Sequence, residues 1–372
     1  MKSIVIGTSI ALLIVGALWA QNIHKAERVS TQVPSMAAAV DKGAKWLASV
    51  QGADGGWGQD GGETSYVRTS ERLESNGNDV ANTAVAALAL LEAGKQYQPN
   101  VDRAIDFILR KVETSPADGL AITDAQGTQI ERKLGPYIDT FLTSMLLAKV
   151  DGTRSNTQRN VRVRQALQKC VAKIVRNQKG DGSWNVAGGW APVLGTSMAS
   201  RSLFEAQQKG VKVDETVMAR AETYTMKAIN GQTQGAAGVV SGVLGGAPAA
   251  PSEAAGVPLY QSAQALEQLS RTEKDRKKNA PEIAALSAQL ADARFVNGFG
   301  SIGGEEFFSY LNISDGLRRA GGDEWNKWHS QITQKILNLQ NSDGTWAGHH
   351  CITGRVAVTS AAILNLSINR AD

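Results

Sequence analysis

Gln51-Gly-Ala-Asp-Gly-Gly-Trp57 is the first of three copies of one short phrase in this chain. The other copies are Gln178-Lys-Gly-Asp-Gly-Ser-Trp184 and Gln340-Asn-Ser-Asp-Gly-Thr-Trp346. Each contains Gln, two variable residues, Asp-Gly, one small residue and Trp, and the copies begin 127 and 162 residues apart. A phrase that recurs at such intervals predicts a repeat architecture in which each copy belongs to one supersecondary unit.

Two kinds of helix alternate along the chain after residue 35. The first kind is amphipathic, with apolar residues at three- and four-residue spacing and a charged outer face. It comprises Met36–Gln51, Val101–Glu113, Asn160–Gln178, Glu215–Ile229, Ala280–Ala293 and Glu324–Gln340. The second kind has few charges and predicts burial: Val80–Ala93, Tyr137–Val150, Gly195–Gln208, Leu259–Leu269, Glu306–Arg319 and Gly354–Ile368. Strict alternation predicts an all-α (α/α)6 toroid of six inner and six outer helices, forming one domain over residues 36–372. An open solenoid of helix pairs is the alternative.

Each phrase falls at a turn from an outer helix to an inner one. Asp-Gly is suited to a tight turn, and the Gln side chain can bond backbone groups at a helix terminus. The Trp can cover the end of the barrel. We therefore expect the phrases to have a structural role.

The N-terminus and the overall charge bear on location and partners. An apolar segment, residues 4–20, follows Met1-Lys2 and precedes a polar linker, residues 21–35, which predicts export. The segment fits a cleaved signal peptide and also a retained inner-membrane anchor, so we expect a periplasmic, secreted or membrane-associated protein. With 39 basic and 35 acidic residues and no Lys/Arg run, no nucleic-acid partner is expected.

The sequence around the first phrase resembles a known repeat. Lys42-Gly43-x-x-Trp46-Leu47-x-x-x-Gln51-x-x-x-Gly55-x-Trp57 is similar to the QW repeat of squalene and oxidosqualene cyclases. The later copies have Lys173 and Lys335 where that repeat prefers an aromatic residue. The resemblance extends to the terpenoid cyclase and protein prenyltransferase β-subunit superfamily, and it implies an (α/α)6 toroid over Met36–Ser367.

The resemblance does not imply the family's chemistry. Cyclases of the squalene type carry an Asp-x-Asp-Asp acid motif, which is absent from this sequence, where Asp124 and Asp139 stand alone. The zinc ligands of prenyltransferase β-subunits would correspond to Glu305, Phe307 and Val358, so two of the three are missing. The segment ending at Arg355 resembles a group of exported bacterial repeat proteins.

The third phrase runs directly into Gly348-His349-His350-Cys351-Ile352-Thr353-Gly354-Arg355. In a toroid all inner helices begin at the same end, which we call the mouth, and their converging N-termini favour negative charge. Polar residues from several inner-helix starts are therefore expected to meet there. The catalytic candidates are Glu305, Glu306, His350 and Asp139, and the substrate-binding candidates are Arg355, Tyr137, Tyr260, Tyr310 and Asp79.

Three interpretations of this cluster remain open. His349, His350 and Cys351 have the donor types of a zinc site, with carboxylates nearby. Alternatively Glu305 or Glu306 acts as general acid or base with His350, while Arg355 holds an anionic group. In the third, the acids cap helix N-termini and pair with Arg355.

Two functions follow as hypotheses. The first is an exported enzyme that acts on a hydrophobic or polymeric substrate at the mouth, with the reaction type open. The second is a non-catalytic binding or scaffold module of the cell envelope. A mouth filled by the chain's own loops would favour the second.

Overall fold

A computed structural model of the chain describes residues 35–60, 77–123, 128–135, 137–153, 156–184, 192–227, 262–292, 303–349 and 352–368. Residues 35–372 form one compact unit, separate from residues 1–34. Within the described ranges no strand is formed, and Trp57 and Asp79 make an isolated bridge. In those ranges, too, no helix combines the length and the hydropathy that crossing a bilayer requires. The predicted export segment lies outside them.

Fourteen helices are described, numbered here in chain order. The outer helices are α1 (Met36–Ser49), α3 (Gln98–Thr114), α6 (Thr157–Arg176), α8 (215–227), α11 (Ala280–Ala291) and α13 (Asp323–Asn338). The inner helices are α2 (Val80–Ala93), α5 (Ile138–Val150), α7 (Pro192–Gln208), α9 (262–269), α12 (Gly304–Ala320) and α14 (Arg355–Ser367). Two short helices are α4 (Gln129–Leu134) and α10 (Glu273–Lys278).

Burial separates the two sets as the sequence predicts. In α2 every residue from Val80 to Leu90 is buried, because both faces of an inner helix pack against protein. In α13 the buried residues are Trp328, Ile332, Ile336 and Leu337, which form one stripe. The outer helices therefore cover an inner layer that has almost no exposed side chains.

The inner helices form a closed ring. α2 packs against α5, α5 against α7, α12 against α14, and α14 against α2. α9 completes the ring between α7 and α12. Arg271, just after α9, donates to Ser200 of α7 at 3.0 Å, and Glu267 of α9 accepts from Arg319 of α12 at 2.8 Å. The predicted toroid is confirmed over the described residues, and the open solenoid is not what forms.

The glutamines of the three phrases join consecutive outer helices. Each donates through Nε2 to the carbonyl of the Gly four residues later and to a carbonyl near the start of the next outer helix. The carbonyls on the next helix belong to Asn100, Val217 and Ala39, at 2.9 Å in each case. The third copy thus joins the last outer helix to the first.

The tryptophans of the phrases join each outer helix to the inner helix that follows. The indole N–H of Trp57, Trp184 and Trp346 donates to Leu47, Ile174 and Ile336 near the end of the outer helix, at 2.7–2.9 Å. The Trp backbone N–H donates to a threonine in the first turns of the inner helix: Thr83, Thr196 or Thr359. The predicted structural role of the phrases agrees with these contacts.

Candidate functional site

The threonines bonded to the phrases fix the rotation of the inner helices at the mouth. A fourth, Thr140 of α5, donates to Leu120 O at 2.7 Å and occupies the corresponding place. The residue that precedes each threonine is rotated about 100° from it around the helix axis, so these four residues point in a common direction on their helices. They are Asn82, Asp139, Gly195 and Val358.

Asp79 begins α2 as its N-cap residue. Its two carboxylate oxygens accept bonds from the backbone N–H and the side-chain amide of Asn82, each at 2.8 Å. Burial raises the pKa of the Asp79 carboxyl group to about 6, because desolvation outweighs these bonds. Asp79 thus fits the interpretation in which acidic residues at the mouth cap helix N-termini.

Asp139 lies in the first turn of α5 and is 1% exposed. Its Oδ1 accepts from the Thr140 backbone N–H at 2.7 Å, and its Oδ2 is buried. Burial, and then the negative charge of Glu131, raise the pKa of Asp139 to about 7. Because burial of a charged carboxylate is costly, the protonated form of Asp139 is favoured near neutrality.

Glu305 and Glu306 are both buried in the first turn of α12. Glu306 Oε2 accepts from the Tyr310 hydroxyl at 2.9 Å, and that hydroxyl accepts from Lys335 Nζ at 2.8 Å. Burial raises the pKa of Glu306 to about 7, opposed by the Tyr310 bond and the Lys335 charge. Tyr310 also packs edge-on against Trp328 of α13, so it lies between the inner and outer layers.

Arg355, the first residue of α14, is also engaged between layers. Its guanidinium lies 3.4 Å from Asp60, 3.3 Å from Asp343 and 5.1 Å from the ring centre of Trp46. Asp343 belongs to the third phrase, so the arginine connects that turn to the start of the last inner helix. This arrangement binds the guanidinium to the chain's own groups.

The N-terminus of α14 is capped by residues that sequence reasoning did not select. Gln129 Oε1 accepts from the backbone N–H groups of Thr353 at 2.9 Å and Gly354 at 3.2 Å. The N–H of Arg355 donates to Asp60, and that of Val356 to the carbonyl of Gln59. These N–H groups are therefore already satisfied without an added anion.

Gln129 begins α4, which lies across the mouth. This short helix packs against α2, α5 and α7, its residues Ile130, Glu131 and Leu134 are buried, and Gln129 reaches α14. Thr128 and Glu131 form a capping box, Thr-x-x-Glu, and this sequence signal could have predicted α4. Part of the mouth is thus filled by the chain itself.

A cleft of about 640 Å³ lies between the starts of α2 and α5 and the end of α3. Its lining includes Asp79, Val80, Lys111, Tyr137 and the connection 114–123. α6 holds that connection in place with three basic side chains. Lys169, Lys173 and Arg176 donate to backbone carbonyls between residues 112 and 121.

The predicted site residues therefore divide into four groups. Asp79 and Tyr137 line the cleft, whereas Asp139, Glu305, Glu306, Tyr310 and Arg355 lie at inner-helix starts with buried or intramolecular contacts. His349 is exposed. His350, Cys351 and Tyr260 lie outside the described residues. Within the described ranges no three His, Cys, Asp or Glu residues are placed to hold a metal ion, and the zinc site stays a prediction.

Comparisons with known proteins point to one family. A family model described as the squalene-hopene cyclase C-terminal domain matches residues 20–123. The squalene–hopene cyclase of Bradyrhizobium diazoefficiens is 39% identical over 70 residues, which cover 19% of this chain and 10% of that protein. No solved structure matches. Both matches cover less than a third of this chain, and together with the closed ring of helices they support a terpenoid cyclase-like fold.

Proposed function

We propose that this chain is an exported binding module of the cell envelope, and that its cleft holds a hydroxyl-rich polymer such as a glycan. The observation that carries the proposal is that α4 lies across the mouth, while described residues at the starts of α2 and α5 line a cleft. The sequence allows an enzyme or a binding module. A mouth occupied by the chain's own helix favours the binding module.

The lining of the cleft favours a polar ligand over an isoprenoid. Asp79, Lys111, Ser115 and the backbone of the connection 114–123 supply donors and acceptors, and Tyr137 supplies a half-buried aromatic ring. Sugar hydroxyl groups can both donate and accept hydrogen bonds, and a sugar ring can pack on an aromatic face. An isoprenoid could form no hydrogen bonds with this lining, and it would cover the solvated ammonium group of Lys111, which costs free energy.

Isothermal titration of the full chain with chitohexaose, and separately with farnesol, tests this proposal. We expect chitohexaose to bind and farnesol not to bind. Tyr137→Ala should weaken binding about fivefold, because an aromatic contact contributes on the order of 1 kcal/mol. Tyr224→Ala is the matched control, since Tyr224 has similar partial burial but lies on α8. Farnesol binding that Tyr137→Ala abolishes would instead support a hydrophobic substrate.

An acid–base enzyme is the second candidate, favoured by one observation. Asp79, Asp139 and Glu306 have pKa values raised to between about 6 and about 7, and all three lie at inner-helix starts. Acids poised near neutral pH are suited to general acid–base catalysis and are enriched at functional sites. Release of new reducing ends from chitohexaose by the wild type, but not by Asp79→Asn, would favour this candidate.

Export is proposed on the composition of residues 1–20. Fractionation of cells that express the full chain, followed by N-terminal sequencing, tests it. Processing near Ala20 supports a signal peptide, and an intact N-terminus in the membrane fraction supports an anchor. An intact chain found only in the cytosol would contradict export.

A further inference from the structure

The residue five positions before each repeat Gln differs among the three copies: Trp46, Lys173 and Lys335. In each copy it interacts with a charged or titratable residue in the first turn of an inner helix. Trp46 lies under the guanidinium of Arg355, Lys173 is acted on by the charge of Asp139, and Lys335 acts on Glu306. The aromatic residue Trp46 thus interacts with a cation, whereas the two lysines interact with carboxyl groups. Lys173 and Lys335 therefore depart from the QW pattern in the copies where the partner is an acid instead of an arginine.

Among the described residues, the third copy forms a continuous chain of hydrogen bonds to its acid, and the second does not. Lys335 Nζ donates to the Tyr310 hydroxyl at 2.8 Å, and that hydroxyl donates to Glu306 Oε2 at 2.9 Å. Glu306 is 2% exposed and Tyr310 0%, whereas Lys335 is partly exposed on α13. Lys173, in contrast, is buried and donates to the backbone carbonyls of Asp118, Gly119 and Ala121.

We propose that Tyr310 and Lys335 form a proton path between solvent on the outer side of α13 and the buried carboxyl group of Glu306. When Glu306 takes up a proton, the Tyr310 hydroxyl proton passes to Glu306 Oε2 as a proton from Lys335 Nζ passes to Tyr310 Oη. Lys335, left as a neutral amine, then takes a proton from a hydronium ion in the solvent, which becomes water. The net change is one proton transferred from hydronium to Glu306 Oε2, and release follows the same steps in reverse.

This path goes beyond the proposed binding function, because the cleft is lined by other elements. Glu306 is also influenced by the neighbouring charge of Glu305 and by the backbone of Gly303. Tyr310 and Lys335 act on Glu306 as positioning residues. The carboxyl group of Glu306 is shielded from solvent. The path allows it to exchange protons with the outer face of the toroid instead of through the mouth.

Infrared spectroscopy of the full chain tests the path. In slightly acidic solution, below its pKa of about 7, Glu306 gives a neutral carboxyl band, identified as the band lost in Glu306→Gln. After transfer to heavy water, the shift of this band reports proton exchange. We expect Tyr310→Phe and Lys335→Met each to slow the shift about a hundredfold, the lower end of what a positioned proton-transfer group contributes. Lys335→Arg should retain a faster rate than Lys335→Met, because it keeps a donor.

The band of Asp139 is the internal reference, identified by Asp139→Asn. Its exchange should be unchanged in Tyr310→Phe and Lys335→Met, because Asp139 lies on α5 and is not bonded to either residue. If the Glu306 band exchanges as fast in both variants as in the wild type, protons enter by another route and the path is wrong. If Tyr310→Phe fails to fold, the partly exposed Lys335→Met decides the question.

Discussion

The side-chain amide of Gln340 donates to the carbonyl oxygen of Ala39 at 2.9 Å, although the two residues are 301 positions apart. The same bond joins Gln51 to Asn100 and Gln178 to Val217 across much shorter sequence separations. The same phrase therefore has two structural roles. The first two copies connect outer helices that are neighbours in the sequence, and the third connects the last outer helix to the first and closes the outer ring. Closure leaves no open end where a unit would lack a partner.

Replacement of Gln340 should weaken this closure. Gln340→Ala removes bonds to Ala39 O and Gly344 O, and we expect the free energy of unfolding to fall by about 1–3 kcal/mol. Urea unfolding followed by tryptophan fluorescence measures the change. Gln334→Ala is the control, because Gln334 is exposed and its bond to Asn338 lies within α13. Equal stabilities for the two variants would show that the Gln340 bonds do not contribute.

Gly344 allows the third phrase to approach α1 closely. Its φ is +93°, and a Cβ atom there would lie 2.7 Å from Lys42 Cγ and 3.0 Å from Lys42 O. Gly210 also has a positive φ, +75°, but a Cβ there would have no neighbour within 4 Å. Both Gly→Ala variants carry the cost of a left-handed backbone, about 1–2 kcal/mol. We expect Gly344→Ala to lower the melting temperature more than Gly210→Ala, and an equal shift would contradict the close approach.

The stability of the protein should fall as the pH rises towards and through 7. Burial raises the pKa of Asp139 and Glu306 from ordinary values near 4 to about 7, so the folded state holds protons that the unfolded chain releases. This contribution is complete below the unfolded pKa and is lost as the pH rises through the folded one. The pKa of Glu267 is lowered to about 2 by Arg271 and Arg319 despite its burial, and its contribution changes only in more acidic solution.

Urea unfolding between pH about 4 and about 8 measures this dependence. Asp139→Asn, which resembles the protonated side chain, should reduce the loss of stability with pH. Asp41→Asn is the control because Asp41 is exposed on α1 and should leave the slope unchanged. A wild-type stability that increases over this range would be inconsistent with buried, protonated carboxyl groups.

Glu267 stabilises the end of the barrel opposite the mouth. It is 0% exposed and accepts from Arg271 at 2.6 Å and from Arg319 at 2.8 Å. Glu267→Gln leaves two arginines facing a neutral group, and we expect a loss of about 3–5 kcal/mol of unfolding free energy. Glu273→Gln, which breaks an exposed pair with Lys277, should cost less than about 1 kcal/mol. Similar losses in the two variants would contradict a buried network.

Most of the fold could be predicted from the sequence because each helix carries its own pattern. The predicted outer helix Glu324–Gln340 is observed as Asp323–Asn338, and the predicted inner helix Val80–Ala93 has those bounds in the structure. Gly94, Gly152, Gly210 and Gly321 follow inner helices, as expected, with positive φ angles. α4 was not predicted because its six residues are too few for an apolar pattern to repeat over successive helical turns.

The candidate site was harder to predict because side-chain direction depends on helix rotation. Tyr310 was expected among substrate-binding residues, but it contacts Trp328 and Lys335 between the layers. The threonines that bond the repeat tryptophans set that rotation, and these contacts join residues 12 to 26 positions apart. The capping of α14 by Gln129 likewise crosses 224 residues and has no local signal.

Hydrogen exchange of the full chain, with and without saturating chitohexaose, tests the central proposal most directly. We predict slower exchange in the connection 114–123 and at the start of α5, because these segments line the cleft. Protection should be lost in Tyr137→Ala. Protection confined to the opposite end of the barrel, around Arg201 and Arg271, or no protection at all, would contradict binding in the cleft.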